Sequence, residues 1–132
     1  MNPEIKAEWG EWLLANANRQ GGGALRHAGA ATDGSNDTFC CLGGLCERGV
    51  LAGIVRRELI PGSNIYQYVS VTDATDADSE VLPQAIVEWA QLPSPNPRIW
   101  MSSSRPEYTT LATLNDQATP FPAIWKKISA AF

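Results

Sequence analysis

One stretch constrains this chain more than any other: Phe39-Cys40-Cys41-Leu42-Gly43-Gly44-Leu45-Cys46-Glu47-Arg48-Gly49. Cys41, Leu42, Leu45 and Cys46 recur at helical spacing and make one apolar stripe. Phe39 reads as the end of a short strand or turn that feeds the helix. Glu47 and Arg48 close the run with charge, and Gly49 fits a C-cap. A glycine inside a helix costs about 1 kcal/mol relative to alanine. Gly43 and Gly44 therefore point to another backbone, or a ligand, coming very close on that face. Free cysteine behaves as a small, dense hydrophobe. The stretch predicts a buried central helix that the other elements wrap.

The cysteines allow sharper chemistries, and each meets an obstacle. Cys40 and Cys41 are adjacent, so a full set of disulfides is unavailable to an odd count of three. Zinc needs a fourth ligand, His27 is the one histidine, and Cys-Cys-x4-Cys is not the paired spacing of zinc folds. Cys40 with His27 as its base is the one nucleophile-base pair that can be drawn. A reactive thiol needs an exposed, electropositive setting, whereas this run is apolar. The expectation is a structural role, with no metal and no cofactor.

At 132 residues the chain has the size of a single domain, 1–132, with room for a real core. The net charge of −4 argues against direct nucleic-acid binding but not against a basic partner. No apolar run is long enough to span a bilayer, no signal-peptide pattern opens the chain, and reduced cysteines fit a cytoplasmic setting. The five tryptophans, spread over several segments, read as core anchors.

Asn2-Pro3 is a helix start, and Ile5, Trp9, Trp12 and Leu13 mark one face of a helix that fades near Asn16 to Asn18. Arg19-Gln20-Gly21-Gly22-Gly23 is a glycine loop without the Gly-Lys-Ser/Thr of a phosphate loop. It reads as a flexible turn, or as backbone approaching a ligand with Gln20 and Arg26 as polar contacts. Ala24 to Ala28 reads as a short strand and Gly29 to Asp37 as an exposed loop. Ile54 to Ile60 and Ile65 to Val71 predict a hairpin about Pro61-Gly62-Ser63-Asn64. Its Tyr66 and Tyr68 share a face that is either a stacking platform or half-buried packing.

Asp73, Asp76, Asp78 and Glu80 do not fit a calcium loop and read as a solvated acidic loop. Leu82-Pro83 starts a helix with Ile86, Val87 and Ala90 inward. Pro93, Pro95 and Pro97 then force an extended stretch before a short strand from Arg98 to Met101 and a loop over 102–108. Leu111 and Leu114 lead to Asn115-Asp116 at a turn. Thr119-Pro120 caps a last helix with Phe121, Ile124, Trp125, Ile128 and Phe132 as its stripe and Lys126 and Lys127 outside. The fold class is α+β: three to four helices packed around a short antiparallel sheet or hairpin.

Four places carry a family resemblance: the N-terminal Trp helix with the Gln-Gly loop and Ala24-Leu25-Arg26; Phe39-Cys40-Cys41-Leu42-Gly43-x-Leu45-Cys46; Leu82-Pro83 with Trp89-Ala90-x-Leu92; and Leu111-x-x-Leu114-Asn115-Asp116 before Phe121. Together they resemble a group of small, largely uncharacterised phage and prophage proteins. Gly44 departs from a larger apolar residue in that pattern, and Gln117-Ala118 from a glycine-containing turn. The resemblance implies a phage accessory protein directed against a host defence.

No Ser-His-Asp set, metal cluster or nucleotide fingerprint marks an enzyme. Binding without turnover is the expectation: a sponge, and so a homo-oligomer, that sequesters a nucleotide signal of host immunity. Gln20, Gly22, Arg26, Tyr66, Arg98, Asn115 and Asp116 are its candidate ligand contacts. The alternative is an inhibitor whose acidic loop around Asp76 docks on a basic surface of a host nuclease or CRISPR effector. A second alternative is a thiol enzyme using Cys40 and His27.

Overall fold

The cysteine stretch forms helix α2 (Cys41–Leu51), and its side from Cys41 through Cys46 is buried without a break. The computed structural model describes residues 1–132 apart from Ser103 and Arg105. Helix α1 (Pro3–Ala15) crosses α2 and is capped by Asn2, whose Oδ1 accepts from the amides of Glu4 and Ile5 at 3.0 and 3.2 Å. Trp9, fully buried on α1, donates its indole N–H to the Cys41 carbonyl at 2.9 Å.

The paired glycines are explained by two close approaches, one from the Leu25 backbone and one from α1. A Cβ on Gly43 would fall on the Leu25 carbonyl, and one on Gly44 would fall on the Trp12 ring. That ring also meets Phe39 edge-on, with centroids 5.0 Å apart. What comes close to the glycine face is thus the protein's own backbone and indole. The helix runs past Gly49 to Leu51, with Ala52 as its C-cap and Gly53 beyond it at φ 76°. Gly49 is therefore not the cap; it is small because a methyl there would strike Ile86.

The described residues form three small antiparallel sheets. Strand β1 (Arg26–His27) pairs with β2 (Thr38–Phe39). The predicted hairpin is β3 (Val55–Leu59) and β4 (Tyr66–Ser70), in register from Val55↔Ser70 to Leu59↔Tyr66, and Gly62 takes φ 75° in its turn. The acidic segment supplies β5 (Ala77–Asp78), which pairs with β4 and so is not simply a solvated loop. Strand β6 (Arg98–Trp100) pairs with β7 (Tyr108–Thr110). The loop expected over 102–108 includes Ser103 and Arg105, which lie outside the described residues, and Tyr108 already belongs to β7.

Helix α3 (Gln84–Ala90) turns Ile86, Val87 and Ala90 inward. Helix α4 (Leu111–Asp116) replaces the turn expected at Asn115-Asp116; its cap is Thr110, whose Oγ1 accepts from the Thr113 amide at 3.2 Å. Helix α5 (Phe121–Ala131) buries Phe121, Ile124 and Ile128 and lays its Trp125 ring against Gly10 of α1. The fold is α+β, with five α-helices among the described residues where the sequence pattern indicates three to four. A buried cluster from Ile5 to Ile128 draws on every helix. Among the described residues, no helix is long and apolar enough to cross a membrane.

Candidate functional site

The seven candidate contacts fall into three separate places. Arg26 and Tyr66 meet in the interior. Arg26 is 8% exposed, and its guanidinium sits 4.9 Å from the ring centroids of both Phe39 and Tyr66. Its Nε and Nη2 donate to Asp37 Oδ2 at 2.9 and 2.7 Å, and its Nη1 to Glu47 Oε1 at 3.1 Å. Burial works against this charge, but Asp37 and Glu47 outweigh it and hold the Arg26 pKa above its ordinary value. Glu47 also accepts from Arg57 and from the hydroxyl of buried Tyr68. Burial beside Glu47 pushes that phenol up.

Arg26 is consequently spent on the fold, its donors engaged by Asp37 and Glu47. The reason is Asp37, which is buried although it ends a segment read as an exposed loop. Its other oxygen accepts from the Gly29 amide at 2.7 Å, so the segment folds back onto its own carboxylate. The tyrosine face of the hairpin is likewise packing, not a platform: Tyr68 is fully buried and Tyr66 half-buried.

Gln20, Gly22, Asn115 and Asp116 do come together. With Ala17, Gly21, Ala118 and Pro120 they line a cleft of about 470 Å³. Buried Asn115 is its brace: Oδ1 accepts from the Cys41 amide at 3.0 Å and from Gln20 at 3.1 Å, while Nδ2 donates to the Gly21 carbonyl at 2.7 Å. Gln20 also donates to the Thr119 carbonyl at 2.7 Å and accepts from the Phe121 amide at 3.1 Å. Gln20 thereby supplies the α5 cap expected of Thr119. Asp116 accepts from the Gly23 amide at 3.0 Å. The glycine loop is thus pinned at several points and is not a loose turn.

Arg98 stands elsewhere, on the outer face of the β6–β7 ribbon. Ile99 is buried, so alternation turns Arg98 and Trp100 outward, and Tyr108 joins them from β7. Trp100 and Tyr108 are 47% and 57% exposed, with ring centroids 4.9 Å apart. The Arg98 guanidinium lies 4.9 Å over the Tyr108 ring. A groove of about 380 Å³ runs from Ile99, Trp100 and Met101 to Lys126, Lys127, Ala130 and Ala131 on α5. Lys127 Nζ donates to the Met101 carbonyl at 3.2 Å, and Lys126 is exposed. Among the described residues, no ion pair involves Arg98, Lys126 or Lys127.

Sequence reasoning places Trp100, Tyr108 and the α5 lysines in no site, and counting every tryptophan as a core anchor hides Trp100. The signal was present: Arg98 and Trp100 are two apart in a strand, so a solvated arginine places the indole on the solvated face.

The remaining candidates are committed to structure. All three cysteines are free and buried. Burial pushes the Cys40 thiol up to about 11 and the Cys41 and Cys46 thiols well above their ordinary value. Among the described residues, no hydrogen bond joins His27 to Cys40; His27 Nε2 meets the Gly22 carbonyl at 3.0 Å. Among the described residues, no group of three or more His, Cys, Asp or Glu is placed to hold a metal. In the acidic segment, Asp76 accepts from the Gln84 and Ala85 amides at 2.8 Å each and so caps α3. Asp78 accepts from the Glu80 and Val81 amides at 2.9 and 3.1 Å. Hydrogen bonds from Thr75 hold the Asp73 carboxyl below its ordinary value.

The chain belongs to a family described as a domain of unknown function (DUF8296), whose model matches residues 1–132. No curated protein and no solved structure matches it.

Proposed function

We propose that this protein works by binding and not by turnover, holding a nucleotide-type ligand against the β6–β7 ribbon and α5 as a sink for a signal of host immunity. One observation carries the reading: half-exposed Trp100 shares a groove with Lys126 and Lys127 and pairs with Tyr108, over which Arg98 lies, and no ion pair engages these three cations among the described residues. In a chain of net charge −4, that is a local basic field around solvated rings. Stacking a base on an aromatic ring contributes roughly 1–3 kcal/mol. Arg and Lys add charge-assisted hydrogen bonds to phosphate oxygens. The groove's volume suits a small ligand, and a second copy closing over it would complete its burial.

The test is a titration with cyclic dinucleotides and ADP-ribose derivatives, followed by tryptophan fluorescence, thermal shift and recovery of the ligand. Saturable quenching, a raised melting temperature and a ligand recovered intact are expected. Trp100→Ala should weaken binding at least about tenfold, which corresponds to about 1.4 kcal/mol. A chemically altered ligand would overturn binding without turnover. No response to any nucleotide, with salt-sensitive co-purification of a host protein, would move the reading to protein inhibition.

A further inference from the structure

We propose that the Gly22–Asp116 cleft is a second site, separate from the ribbon, and that it takes a small primary ammonium compound with a short apolar stem. The cleft's polar inventory leads there by subtraction. The Gln20 amide uses Nε2 on Asn115 and Thr119 and Oε1 on Phe121. The Asn115 amide is engaged at both ends, and the Gly22 carbonyl meets His27. Arg19, at the start of the loop, donates to the Gly34 and Asp37 carbonyls. Among the described side chains of the wall, the Asp116 carboxylate is left with open acceptor capacity. Its Oδ1 accepts one amide N–H, from Gly23, and among the described residues Asp116 has no ion pair.

A carboxylate with spare acceptor capacity selects a donor, and an ammonium group gains most because the hydrogen bond is charge-assisted. The same carboxylate repels an anion. The rest of the wall is apolar, from Ala17, Ala118 and Pro120, which suits a short carbon stem. One backbone feature keeps the carboxylate clear. A Cβ on Gly22 would come within 3.1 Å of Asp116 Oδ1 and crowd it. Ala118, at φ 61°, is the left-handed residue that ends α4, with its amide on the Asn115 carbonyl and the Thr119 amide on the Leu114 carbonyl.

The experiment uses n-butylammonium and butyrate as matched probes on the whole protein, read by amide chemical shifts. Butylammonium should shift Gly22, Gly23, Asp116 and Ala118 saturably, and butyrate should not. Asp116→Asn keeps an oxygen for the Gly23 amide while removing the charge. It should keep the melting temperature and weaken butylammonium at least tenfold. Equal response to both probes, no saturable shift at the cleft, or full affinity in the variant would each overturn the assignment. Should the variant unfold, the two probes on the unmodified chain still decide it. Trp100→Ala should leave butylammonium binding unchanged, which separates this site from the ribbon.

Discussion

Arg26 over Tyr66 and Arg98 over Tyr108 are the same chemical pair at the same 4.9 Å separation. Their surroundings differ completely. Arg26 is buried, flanked by a second ring and neutralised by Asp37 and Glu47. Arg98 lies on an exposed ribbon with no ion pair among the described residues. A buried guanidinium must be matched by carboxylates, because an unpaired interior charge costs several kcal/mol. An exposed one is solvated and stays available. Chemistry of the pair alone therefore does not mark a site; the difference lies in how many of the arginine's donors the fold has already used.

The contrast is open to direct attack. The largest effect is expected at Asp37→Asn, which strips Arg26 of a buried partner and should cost about 3–5 kcal/mol of unfolding free energy in urea. Arg98→Met should stay within about 0.5 kcal/mol in the same assay. Comparable losses at both positions would erase the distinction.

Alkaline titration tests the interior on a second group. The folded Cys40 pKa lies above its unfolded value, so its contribution to stability is complete below pH 9 and is lost as pH climbs toward about 11. A shift of that size corresponds to roughly 2–3 kcal/mol, and the other two thiols deepen the fall. A flat stability curve from pH 8 to 10.5 in chemical denaturation would contradict the buried setting. Ala118→Gly should raise stability by about 1 kcal/mol, since glycine removes the left-handed penalty. Smallest for the fold is Lys126→Ala at the ribbon. It should leave the melting temperature in place while reducing the salt dependence of nucleotide binding by about one charge.

Much of this architecture was legible before any coordinates. Asn2-Pro3 capped α1 as its residues require, and the alternation from Ile54 to Val71 named the hairpin and its turn. The helix stripe of Cys41, Leu42, Leu45 and Cys46 placed the centre, and the paired glycines announced a close approach. The candidate site was legible in part: Gln20, Gly22, Asn115 and Asp116 do share a cleft although some 90 residues separate them. Its wall was not legible, because Asn115 spends its amide on Cys41, Gln20 and Gly21, partners remote in sequence. The acidic segment misled for the same reason. Asp76 looks like a solvated charge until α3 presents its first amides to it.

The amino-acid order by itself determined most of the elements, because caps, periodicity and turn residues act over a few positions of chain; α4 and β5 were left to the tertiary structure. The order also determined that something must press against Gly43 and Gly44. Only the tertiary structure decided which polar groups were consumed and which were left over. Hydrogen bonds and ion pairs over long separations, Arg26 with Asp37 and Glu47 or Gln20 with Asn115, depend on packing that no local pattern encodes. A binding surface is what remains after those pairings are made, and so it emerges last.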